Sequence, residues 1–212
     1  MVLRRILSVS RLISIVLTKL YTRLLRRRKN IEIGKNSYVY YRSAIVNKSK
    51  LGGVKIGSGC TIGRRVKGYH AGMPFYTTLL NDGNESHITI GDKCRMNGVY
   101  IHAHNNIVIG NNCVFAAGIS IIDSNGHELY SKDRTVGHDT PKPIIIGNNV
   151  WVGLNAVILK DTTIGNNSVV AAGSVVKGHY PENSVIQGNP AVVVKYLRIE
   201  NKKSNVTIES DK

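Results

Sequence analysis

The chain has 212 residues, 42% of them hydrophobic, with 21 glycines and a formal net charge of +16. That length suits one large domain with at most an appendage, and that composition excludes a disordered chain. Three cysteines without a CxxC pair argue against a zinc-thiolate site, and their odd, sparse count fits a reducing, cytoplasmic setting.

Residues 1–30 form the first element. They hold nine Lys or Arg and no acid, which leaves twenty bases against thirteen acids for the rest of the chain. At 100° per residue, Leu3, Ile6, Ile13, Leu17, Leu20 and Leu24 fall on one face, with Arg4, Arg11, Lys19 and Arg26 opposite, which predicts a basic amphipathic helix. Its longest uncharged run, "LISIVLT" from Leu12 to Thr18, is too short to span a bilayer or to serve as a signal peptide core. Two roles follow: residues 1–29 cap the next element, or they lie peripherally on an anionic membrane. No zinc-finger spacing or aromatic-rich RNA-binding signature accompanies the charge, so no nucleic acid is expected as a partner.

From residue 31 a six-residue rhythm sets in. Ile146, Val152, Ile158, Ile164, Val170 and Val176 are all aliphatic, and four residues after each come Val150, Ala156, Thr162, Ser168, Ser174 and Tyr180, mostly small. The unit appears earlier as "IGKNSY", "IGSGCT", "IGDKCR" and "IGNNCV". A period that is neither 3.6 nor 2, with Gly and Asn at the turns, predicts short strands stacked into a parallel β-solenoid. Cys60, Cys94 and Cys113 fall in the small inward slot and read as packing residues. The rhythm breaks near residues 67–87 and again at 124–143, and insertions in a solenoid tend to form its binding surface. The domain reading is therefore 1–30, 31–197 and a polar tail at 198–212.

The segment Ile146 to Leu197, with "WVG", "AAGSVV" and "GNPA" in that order, resembles the hexapeptide-repeat acyltransferases, in particular the branch of sugar and surface-polysaccharide O-acetyltransferases. The resemblance covers about residues 31–197. It implies an all-β, left-handed parallel β-helix with the helix appended at its N-terminus, a homotrimer with sites at subunit boundaries, acetyl-CoA as acyl donor, a saccharide acceptor and no metal. His127, in "DSNGH" at the start of the second loop, occupies the place of the family's catalytic histidine. An imidazole there takes the proton of a sugar hydroxyl as it attacks the thioester. The resemblance further assigns the oxyanion donor to the amide of Leu154, cofactor contacts to Leu154, Ala172, Lys177, Gly178 and Lys195, and acceptor contacts to Asn97 and Asn125. Met96 and Gly98 compete with Asn97 across a one-residue gap. Val192 stands where the family often has Arg, which puts one phosphate contact in doubt. Asp123 is a candidate to orient His127 or to shape the turn, and His102 and His104 to line the pocket. His70, His87, His138 and His179 read as solvated. The remaining readings are an antibiotic acetyltransferase, a sugar-nucleotide N-acyltransferase and a non-catalytic scaffold. A γ-type carbonic anhydrase lacks its histidine spacing here.

Overall fold

The structure, a computed structural model, describes residues 2–64 and 69–198, with side chains from residue 9 onward. One helix, α1 (Val2–Leu25), precedes a solenoid of short strands. The strands fall into three parallel sheets visited in rotation, here called A, B and C in chain order. They hold seven, eight and six strands, and a final strand, Ala191–Tyr196, turns back antiparallel on Ser184–Gly188 in sheet B. Three strands per coil make a triangular prism: the hexads called for the parallel solenoid, and the resemblance for a left-handed parallel β-helix. Its three edges are the A–B, B–C and C–A turns.

The hexad rule holds residue by residue. Ile146, Val152, Ile158, Ile164, Val170 and Val176 are buried in the core, and the small slot is buried as well, through Val150, Ala156, Thr162, Ser168 and Ser174. Cys60, Cys94 and Cys113 are fully buried free thiols, each donating to a glycine carbonyl of the following coil. The A–B edge shows why "GNN" recurs. The Asn148 amide oxygen accepts from the backbone of Asn111, and Asn166 does the same for Asn148. A Cβ on Gly110 would lie 2.7 Å from that Asn148 oxygen, so the aliphatic residue must be followed by glycine for the coils to stack. The second Asn of each "GNN" (Asn112, Asn149, Asn167) sits at positive φ, which Asn tolerates better than most residues.

The first excursion is shorter than the sequence suggests. Strand Thr78–Asn81 already belongs to sheet C and His87–Ile90 to sheet A, so only residues 63–77 leave the coil. "TLLN" was hidden because the irregular excursion parts it from "IGSGCT", the unit that opens its coil. The second excursion runs between Ile119–Ile122 in sheet C and Ile144–Ile146 in sheet A. Of the polar tail, residues 199–212 lie outside the described residues.

Helix α1 covers the N-terminal end of the prism, but with its polar side. Ser14, Thr22 and Leu25 are buried against the first coil. Thr22 Oγ1 accepts the Val39 amide at 2.9 Å, the Tyr21 hydroxyl donates to the Ser43 carbonyl at 2.9 Å, and Arg26 caps the carbonyls of Ile33 and Gly34. The apolar face points outward instead: Leu12 is 62% exposed, Leu20 53% and Leu24 59%, with Ile13, Val16 and Leu17 beside them. Capping and an outward apolar face thus coexist. No described helix is long and apolar enough to cross a membrane.

Candidate active site

The loop at residues 123–143 leaves the C–A edge and is anchored at its base. Asp123 is fully buried, and its carboxylate accepts the amides of His104 at 2.7 Å and Asn105 at 2.8 Å in the coil above. Of its two expected roles, turn-shaping is the one this geometry occupies: both oxygens are committed to backbone, and neither meets His127. Burial pushes the Asp123 carboxyl up from its usual value, against the pull of those two amides.

A second anchor holds the return strand of the loop. Asp139 accepts the Ser124 hydroxyl, the Asn125 amide at 2.7 Å and the ammonium of Lys160, which also donates to the Thr140 carbonyl. Burial disfavours the charged Asp139, but the Asn125 amide, Lys160 and Ser124 together outweigh it and hold the carboxyl at about 2. The Asn125 amide is thus spent on the turn, and its exposed side chain has no hydrogen-bond partner among the described residues. His138 Nδ1 lies 3.2 Å from the Gly126 carbonyl, bracing the same turn.

His127 stands beyond these anchors. It is exposed and has no hydrogen-bond or ion-pair partner among the described residues. A rigid base below an unengaged imidazole is what a general base needs before substrate arrives. The orienting group for its other ring nitrogen is not supplied by Asp123 or Asn125.

The cofactor and acceptor candidates divide between edges. Lys177 and Gly178 follow strand Val175–Val176 at the C–A edge, the edge that also carries His127. Leu154, Ala172 and Asn97 lie at the B–C edge and share a groove of about 650 Å³ over sheet B. Met96 is fully buried and Gly98 sits at positive φ against Met73, so of the three competing positions Asn97 is the one lining the groove. Lys195 lies on the returning strand, paired with Val185. One chain therefore does not bring His127 together with Leu154: the full width of sheet C separates their edges. Gly153 has a packing reason of its own, since a Cβ there would lie 2.6 Å from the Ala172 nitrogen.

Sequence reasoning missed several residues. Arg64, Arg95 and His70 line the groove beside Trp151. Arg95 was readable as the outward residue of "CRM"; Arg64 and His70 come from the irregular excursion, where no period places them. Asp139 and Lys160 were missed because their partnership spans two coils.

Comparison with known proteins fits this layout. Residues 143–178 match the family model of the bacterial transferase hexapeptide (six repeats). A galactoside O-acetyltransferase of Escherichia coli is 38% identical over 96 residues, 45% of this chain and 47% of that protein. A second Escherichia coli protein, provisionally named as a lipopolysaccharide biosynthesis O-acetyl transferase, is 34% identical over 124 residues, 54% of this chain and 63% of that protein. The chain thus spans less than two thirds of the length of the curated relatives it matches. Among solved structures, the N-acyltransferase AntD from Bacillus cereus in complex with dTDP and 3-hydroxybutyryl-CoA superposes with a TM-score of 0.57 at 14% identity. The match covers 79% of this chain and 83% of that one, and shows the shared fold. Residues 143–178 thus carry the transferase hexapeptide repeat, and the matched relatives are O-acetyl transferases that share part of their length with this chain.

Proposed function

We propose that the protein transfers an acetyl group from acetyl-CoA to a hydroxyl of a saccharide, in bacterial surface polysaccharide synthesis, with His127 as general base. The observation that carries this reading is His127 itself: an unpartnered, exposed imidazole on a loop whose base is fixed by Asp123 and Asp139. The relatives named for galactoside and lipopolysaccharide O-acetylation support the acceptor class, and the fold neighbour that holds an acyl-CoA supports the donor.

His127 removes the hydroxyl proton as the oxygen attacks the thioester carbonyl. The Leu154 amide stabilises the oxyanion. The thiolate leaves and is reprotonated by His127, so no acyl-enzyme forms. Leu154 and Ala172 flank the pantetheine arm, Lys177, Gly178 and Lys195 serve the donor's polar end, and Asn97 and Asn125 contact the acceptor.

This assignment requires more than one chain. His127 and Leu154 occupy different edges of one prism, so a neighbour must supply one of them. A homotrimer closes three such sites by threefold symmetry. The setting is cytoplasmic, at the inner face of a membrane: the outward apolar face of α1, flanked by Lys19 and Arg23, rests in an anionic headgroup layer.

Acetyl-CoA offered with a panel of sugars, lipid-linked glycans and polysaccharides tests the reaction. Thiol release with a 42-dalton gain on an acceptor hydroxyl is expected, acetyl being about that much heavier than hydrogen. Acetylation confined to amino sugars would replace this reading with N-acyl transfer, and no turnover on any acceptor would leave only a scaffold.

A further inference from the structure

The C–A edge carries a second cluster just above the His127 loop. Strand Val99–Ala103 and the residue after it close on "HAH", His102 to His104. His102 is in register with Leu80 of the coil above and Ile122 of the coil below. The same register sets His104 beside Asp82, the first residue after strand Thr78–Asn81. One donor atom from each of Asp82, His102 and His104 lies within 4.8 Å of the other two. The imidazole centroids are 4.4 Å apart, and His102 Nε2 lies 3.5 Å from Asp82 Oδ2.

That Nε2 is sealed from water and closes no hydrogen bond, although its side chain is 22% exposed. The 3.5 Å approach to Asp82 is an electrostatic contact but too long for a good hydrogen bond. Buried polar atoms in folded proteins nearly always have a partner, so this one asks for a cation between nitrogen and carboxylate.

We infer that Asp82, His102 and His104 form a binding site for a divalent transition metal of the zinc type. Two imidazoles and one carboxylate are a usual zinc donor set, and three protein ligands leave a position for water. Zinc bonds of about 2.0–2.1 Å need donors about 3.3 Å apart, within reach of modest side-chain rotation from the present spacing. The backbone behind the ligands is already fixed, because Asp123 clamps the amides of His104 and Asn105. One opposing charge is present: Lys48 Nζ lies 3.2 Å from Asp82 Oδ1 and must swing away, which its exposure permits. The bound ion ties together the two successive coils above the one from which the loop departs. This site is separate from the proposed acetyl transfer and takes no step in it.

Untagged, metal-stripped full chain titrated with Zn²⁺ in a calorimeter tests the site, with Co²⁺ absorption as a second signal. About one equivalent per chain is expected, with visible Co²⁺ bands of mixed nitrogen and oxygen ligation. His104→Ala and Asp82→Asn should each weaken binding at least tenfold with an unchanged far-UV spectrum, whereas His127→Ala should leave it intact. If one variant fails to fold, the other decides. Absence of Zn²⁺ binding in the wild-type chain, binding that survives both substitutions, or binding lost in His127→Ala would overturn the inference.

Discussion

Lys160 reaches up from the end of strand Val157–Leu159 to the carboxylate of Asp139, on the far limb of the loop that carries His127. Both side chains are largely buried, and Lys160 also binds the Thr140 carbonyl. The contact joins a regular solenoid position to the irregular segment, and so transmits the rigidity of the coil to the loop.

Breaking that contact should loosen the loop without unfolding the prism. In Lys160→Met the buried Asp139 loses its cation, and turnover should fall roughly ten- to a hundredfold through misplacement of His127. The acid response follows from the sign of the shift. The folded carboxyl sits at about 2, below its ordinary value, so its stabilisation is full above about 4 and is lost as pH falls through about 2. Pepsin should therefore nick residues 124–143 of the wild type only as pH drops from about 4 towards 2, but cut Lys160→Met already at pH 4. Equal cutting of both proteins at pH 4 would remove Lys160 from this role.

His127→Ala should cost at least roughly a hundredfold in kcat, the usual scale for a general base. The melting temperature should stay within a degree or two, because the side chain is exposed and makes no contact that stabilises the fold. A variant turning over like the wild type would exclude His127 as the base.

The prism was legible in the sequence because stacking repeats one physical demand every six residues. Ile146 to Val176 obey it without exception, and even the cysteines fall in place. The site was legible only where a motif carried it. His127 and Leu154 could be named from "DSNGH" and "WVG", but no motif puts them on different edges, since that depends on where the strand rotation resumes after the insertion between them. Asp82 beside His104 was invisible for a similar reason: 22 residues separate them, and Asp82 follows a strand inside the stretch read as a break. Helix α1 shows the limit of periodicity. It located the apolar face correctly, but which face meets the solenoid is settled by Thr22, Tyr21 and Arg26 finding backbone partners at the open end.

Separation of His127 from Leu154 gives a test of the shared site. Ala172→Trp would fill the groove at the B–C edge, where the small side chain faces solvent. Alone it should be nearly inactive, as should His127→Ala. Co-expressed, the two should assort at random into trimers, and about a quarter of all boundaries should pair an intact His127 with an intact Ala172, restoring about that share of activity. Sedimentation should give a trimer throughout. Mixed particles with no recovered activity would mean that each site is built within one chain.

The outward face of α1 gives the last prediction. Leu12, Ile13, Val16, Leu17, Leu20 and Leu24 form a contiguous exposed strip, and soluble surfaces rarely leave so many large apolar side chains together. A second copy of the chain is a poor cover for it, because the surrounding helix is basic and the whole protein carries +16. An anionic bilayer complements both features. Each base near such a surface contributes about 1 kcal/mol, a contribution weakened by salt, and buried leucines add to it. Three helices on one end of a trimer would multiply the effect by avidity. The full-length protein should float with vesicles rich in phosphatidylglycerol, less in high salt, and not with neutral vesicles. Removing residues 1–30 would also strip the cap, so the cleaner variant is Leu17→Glu with Leu20→Glu. It changes only the outward strip and leaves Thr22, Tyr21 and Arg26 on the solenoid. That variant should keep its melting temperature and its trimer but lose flotation. If it floats like the wild type, or if the wild type stays in solution beside anionic vesicles at low salt, the helix is a cap and nothing more.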